Sequence, residues 1–107
     1  MLDRLARRGP DGAAMWCEPE RGFALGHRRL KIMDQAEGGR QPRASRDWVL
    51  CYNGEIYNYL DLKRELESLG HCFAGPGDAE VVLAALQQWG FEECLERFDG
   101  MLALAAW

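Results

Sequence analysis

At 107 residues the chain is the size of one domain, and a hydrophobic content of 48% supplies a modest core. Lys plus Arg is 13 and Asp plus Glu is 17, a formal net charge of −4, and an acidic chain without a basic block argues against nucleic-acid or anionic-membrane binding. No apolar run approaches the ~20 residues of a membrane span, and the charged start Met1–Arg8 has no signal-peptide apolar region, which favours a cytoplasmic location.

The four cysteines, Cys17, Cys51, Cys72 and Cys94, show no CxxC spacing and no histidine in ligand register, so no metal site is expected. Reduced thiols are the default for such a chain. His27 and His71 sit at the edges of apolar segments, where structural or surface roles are commoner than ligation.

In chain order, Leu2, Leu5 and Ala6 share a helical face, so residues 2–8 read as a short helix ending at Gly9-Pro10. Residues 13–16 read as a strand, 18–22 as a charged turn, and Phe23–His27 and Leu30–Met33 as two alternating strands. Residues 34–47, with Gly38, Gly39 and Pro42, read as a loop. Residues 48–57 read as a hairpin turning at Asn53-Gly54, since both residue types tolerate positive φ. A second reading of that pair is chemical: a glycine amide beside an Asn carboxamide offers two donors to one point, as an oxyanion hole requires.

Asn58 is a candidate N-cap with Asp61 as capping-box partner for a helix burying Tyr59, Leu62, Leu66 and Leu69 and ending at Gly70. A second helix starts at Asp78, buries Val81, Val82, Ala85, Leu86 and Trp89, and closes at Gly90. A third uses Phe91, Cys94, Leu95 and Phe98. Met101–Trp107 is nearly continuous apolar sequence, typical of a strand buried on both faces. Strands and helices are segregated rather than alternating, which predicts an α+β layered fold. Both ends read as cut.

Seven motifs then occur in order: Arg8–Asp11 (RGPD), Gly26–Leu30 (GHRRL), Ile32–Asp34 (IMD), Gln41-Pro42, Tyr52–Asn58 (YNGEIYN), Gly77–Val81 (GDAEV) and Phe98–Met101 (FDGM). Together they closely resemble the glutamine-hydrolysing domain of asparagine synthetases, a class II glutamine amidotransferase of the N-terminal-nucleophile type. The resemblance covers nearly the whole chain. It implies a four-layer αββα sandwich of antiparallel sheets between helices, present here in part and without its opening strand, so that residues 1–107 are an incomplete amidotransferase domain truncated at both ends.

Glutaminase chemistry is acyl transfer from the side-chain amide, and its substrate is a zwitterion with a carboxylate and an ammonium to be gripped. By resemblance Arg29 takes the α-carboxylate and Asp78 the α-ammonium. Asn53 Nδ2 and the Gly54 amide form the oxyanion hole, and Glu55 helps orient the substrate. Arg8, Asp11 and Asp34 hold the loops around the pocket. Without the resemblance, Arg29 reads as a surface arginine and Asp78 as a helix-start carboxylate favoured by the dipole; a helix-start Asp serves both purposes.

One departure separates the chain from the family pattern. There the nucleophile is a cysteine exposed at position one, whose free α-amine is the base; here residue 2 is Leu, and none of the four cysteines carries a free amine. The implied function is the glutamine-binding part of an asparagine synthetase glutaminase, inactive as this chain alone. ATP and Mg belong to a synthetase domain outside this chain, no cofactor is expected within it, and the resemblance allows a homodimeric parent. The alternatives are a related ATP-dependent amidotransferase, such as one modifying a cell-surface sugar, and a non-catalytic ligand-binding remnant.

Overall fold

The computed structural model describes residues 1–30 and 40–107. The expectations for Lys31–Met33, Asp34 and the Gly38-Gly39 pair lie outside the described residues.

The chain opens with one turn of 3-10 helix, Leu2–Leu5, and turns at Gly9 and Pro10 into a strand pair. Strands β1 (Gly12–Glu18) and β2 (Phe23–Arg29) run antiparallel from Glu18↔Phe23 to Gly12↔Arg29, joined by the short 3-10 turn Pro19–Arg21. The strand expected at residues 13–16 is therefore longer, and β2 carries on through Arg28 and Arg29. A second sheet has the order β3-β4-β5: the two-residue β3 (Arg43–Ala44), β4 (Val49–Ile56) and β5 (Gly100–Ala106), all antiparallel. Helix α1 (Tyr59–Ser68) follows β4, and α2 (Asp78–Arg97) follows a loop. The class is α+β, with two antiparallel sheets and the helices segregated along the chain. No helix among the described residues is long and apolar enough to cross a membrane.

Among the described residues the buried hydrophobic side chains come from three elements. Leu50, Tyr52 and Ile56 of β4 face Leu62 and Leu66 of α1 and Val81, Val82, Ala85, Leu86 and Cys94 of α2. Each wholly buried Leu or Val contributes roughly 1.5–3 kcal/mol, so this helix–sheet layer is where the stability lies. The other face of β4, with Cys51, is turned to β2: the Cys51 thiol donates to Gly26 O at 3.9 Å, and burial pushes its pKa up. The two sheets also meet where Phe23 stacks on Trp107, with ring centroids 4.0 Å apart.

Four expectations are corrected. Asn53-Gly54 is not a turn; β4 runs straight through it, with Asn53 opposite Ala103 and Gly54 opposite Leu102. A long-range partner strand overrides the local turn signal, and Gly54 sits within the strand at φ +152, a conformation that residues with a side chain rarely adopt. Asn58 does not cap α1 with its side chain. It donates to Arg97 O at 2.9 Å and accepts from the Asp99 N–H at 3.0 Å, pinning the end of α2 to the start of β5. Asp61 pairs with Arg64 rather than closing a capping box. Finally, β5 is covered on one face only: Leu102, Leu104 and Ala106 pack on the core, while Met101, Ala103 and Ala105 are exposed. Among the described residues it also lies at the edge of its sheet.

The second and third helices form one element broken at Gly90 (φ 78), which matches the expected stop there. Trp89 is held under the Arg97 guanidinium at 4.1 Å.

Candidate functional site

A cavity of about 900 Å³ opens where β2, the middle of β4, the Ala74–Gly77 loop and the first turn of α2 converge. Its shape follows from the open edge of β4. The backbone bonds between Val49 and Trp107 mark the hydrogen-bonded pairs of the β4–β5 ladder. Every second residue from Leu50 therefore points its N–H and C=O away from β5. Leu50 meets β3 there, opposite Arg43.

Among the described residues no strand continues on that edge beyond Leu50, and side chains take over. Gln41 serves both backbone groups of Tyr52: its Nε2 donates to Tyr52 O at 2.8 Å, and its Oε1 accepts from the Tyr52 N–H. The Ile56 N–H donates to Asp78 Oδ2 at 3.3 Å. Gly54 lies between the two, with its N–H on the same open edge and inside the cavity lining. A Cβ at Gly54 would collide with the Met101 carbonyl oxygen and stand 2.6 Å from Leu102 Cα. Only glycine lets the strands close here while keeping the amide accessible.

Asp78, the first residue of α2, accepts from the Tyr52 hydroxyl at 2.7 Å on the same Oδ2. Both of these bonds fall on Oδ2; among the described residues Oδ1 has no hydrogen-bond partner, and Asp78 lines the cavity. Tyr52 is correspondingly hard to ionise. Burial, then the hydrogen bond to Asp78, then the charges of Asp78 and Glu55 push its pKa well above the ordinary phenol value.

The sequence-predicted residues divide cleanly. Arg29, Asn53, Gly54 and Asp78 all line this one cavity. Glu55 does not: it is exposed, opposite Met101, and is not among the lining residues. It stands on the same face of β4 as Asn53, one pleat further along, and its charge still acts on Tyr52. Arg8 lines the cavity directly, and Asp11 closes the turn beneath Arg29 through its N–H to Arg29 O at 3.0 Å. His27 is also a wall residue, its pKa lowered by burial and then by Arg29. His71 pairs with Gln88 on the surface at 2.9 Å, as a surface role predicts. None of the four cysteines lines the cavity.

Sequence reasoning missed Gln41, Tyr52 and Glu80. Glu80 Oε2 accepts from the Ala74 and Gly75 N–H groups at 3.1 and 3.2 Å, and its Oε1 accepts from Arg43 at 2.9 Å. Burial by itself would raise its pKa; Gly75, Arg43 and Ala74 outweigh it and hold the carboxyl below the usual range. Gln41 and Glu80 stand inside the quoted motifs, but which atoms they serve depends on the strand edge and loop that the fold sets before them.

Comparisons with known proteins fit this geometry. The chain is 41% identical over its whole length to asparagine synthetase [glutamine-hydrolyzing] 3 of Bacillus subtilis. It is 40% identical, over 96% of its length, to a putative asparagine synthetase [glutamine-hydrolyzing] of Mycobacterium tuberculosis. It spans only 17% of the length of either relative. Among solved structures, the glutamine phosphoribosylpyrophosphate amidotransferase of B. subtilis matches 78% of this chain with a TM-score of 0.64 at 25% identity, over 20% of its own chain. An allosteric regulatory enzyme of purine biosynthesis matches the same share at 0.62 and 26%. A model of the glutamine amidotransferase domain matches residues 1–107, and the chain therefore belongs to the glutamine amidotransferase domain family.

Proposed function

We propose that the cavity binds glutamine as a zwitterion and presents the donors that stabilise attack on its side-chain amide. The observation that carries this is the Gly54 amide, held on an open strand edge between Gln41 and Asp78 and sharing a cavity with the Arg29 guanidinium. Arg29 takes the α-carboxylate through charge-assisted hydrogen bonds, and Asp78 takes the α-ammonium through Oδ1. The Gly54 N–H and Asn53 Nδ2 receive the oxyanion as the carbonyl carbon becomes tetrahedral. The attacking thiol is none of the four cysteines, since all stand outside the cavity lining.

In this reading the chain is the glutamine-gripping portion of a cytoplasmic, asparagine synthetase-type enzyme. Ammonia passes to a synthetase portion beyond these 107 residues, where ATP and Mg act. The relatives' names and the four free thiols support it.

Calorimetric titration of the chain with L-glutamine tests the clamp. Arg29→Ala and Asp78→Ala are each expected to weaken binding by about 30-fold or more, the loss typical of one partner in a desolvated charge pair. Asn53→Ala should leave the affinity nearly unchanged, because its donor acts on charge that develops only in the transition state. An Arg29→Ala protein that binds as tightly as wild type would remove the clamp. The same samples should release no ammonia above background; release that disappears in Cys51→Ala would show that a thiol of this chain does reach the substrate.

A further inference from the structure

We propose that Glu80 is a positioning residue for ligand recognition, its carboxylate clamping the Ala74–Gly77 wall of the cavity to β3 so that the wall stands ready before the ligand arrives. The proposal rests on the reading that the cavity takes glutamine and adds what sets its fit to side-chain length. Ala74, Gly75, Pro76 and Gly77 all line the cavity, and Asp78 follows at once. A segment with two glycines in four residues loses much conformational entropy when ordered, so its position has to be imposed from outside.

Glu80 supplies that constraint with three contacts. One oxygen takes the Ala74 and Gly75 N–H groups, and the other takes Arg43. Arg43 belongs to β3 and is in register with Leu50 on β4, the strand that also carries Asn53 and Gly54. One carboxylate thus couples the loop wall to the strand holding the proposed oxyanion donors. A first-turn glutamate needed only for the helix dipole has no reason to reach back to the preceding loop. This one does, with only 18% of its side chain exposed.

Preorganisation of this kind acts on affinity and on shape selection together. The test compares L-glutamine with L-asparagine, one methylene shorter, by calorimetry on the wild-type chain, Glu80→Ala and Arg43→Ala, with amide exchange followed by NMR. Wild type should prefer glutamine by about 10–200-fold, the range a single methylene provides. In Glu80→Ala that ratio should fall by about 5-fold or more as the preset wall is lost. The Ala74 and Gly75 amides should then exchange about 10-fold faster or more. A Glu80→Ala protein that loses affinity for both ligands equally overturns the proposal, because a purely structural role predicts that result. Arg43→Ala keeps both amide contacts and serves where Glu80→Ala does not fold; an unchanged ratio there also overturns it. If wild type binds neither amino acid, the glutamine reading fails and exchange decides the clamp: faster Ala74 and Gly75 exchange in the variants supports it, and unchanged exchange removes it.

Discussion

Tyr52 spans two environments, its ring in the core between β4 and the helices and its hydroxyl on Asp78 Oδ2. It therefore holds the proposed ammonium acceptor in place from the apolar side. Because the folded protein raises the phenol pKa, the unfolded chain releases a proton above the ordinary value of 10.0 that the folded chain retains. Stability carried by Tyr52 is complete below pH 10 and falls as pH rises beyond it. Tyr52→Phe is expected to cost about 1–3 kcal/mol at neutral pH, through the acceptor it leaves unpaired, and to flatten the alkaline loss. Urea titrations at pH 8 and above pH 10 read both effects. Parallel pH slopes for wild type and variant would show that the hydroxyl is not held as described.

Among the elements, β4 joins the core to the site, with Leu50, Tyr52 and Ile56 inward and the Gly54 amide on its open edge. Two glycines on different elements separate strain from crowding. Gly90 has φ 78, but a Cβ there meets nothing within 4 Å. Gly90→Ala should therefore cost only about 1–2 kcal/mol of left-handed strain. Gly54→Ala meets β5 backbone as well as an unfavourable φ, and should cost about 3 kcal/mol or more, because neither strand can retreat without breaking the ladder. Chemical denaturation of both variants checks the order, and equal losses would mean that β4 and β5 do not approach as closely as the register requires.

At the scale of the molecule the stability is one-sided. Among the described residues, every buried hydrophobic side chain belongs to β4, α1 or α2, and none belongs to β1, β2 or β5. Edge strand β5 shows Met101 at 70% exposure beside Ala103 and Ala105. An apolar face on an unpaired edge promotes association, so the chain should self-associate with rising concentration in light scattering. Ala105→Lys should reduce that association with little change in melting temperature. A concentration-independent monomer would contradict the exposed face.

The sequence by itself determined the class, the strands around β1 and β2, the helical stretches with their stop at Gly90, the final strand, and four residues, Arg29, Asn53, Gly54 and Asp78, that meet in one cavity; β3 lies inside the stretch that reads as a loop. These were legible because periodicity and helix stops act over a few residues and because ordered motifs carry their chemistry with them. What only the tertiary structure decided lies between distant segments. Asn53-Gly54 reads as a turn until β5, some fifty positions later, pairs with it. Asn58 reads as a cap until Arg97 and Asp99 reach it. Gln41 and Glu80 acquire roles only once a strand edge and a loop stand before them. Local sequence ranks the conformations open to each segment, and long-range backbone pairing and burial, which no window of neighbouring residues contains, choose among them.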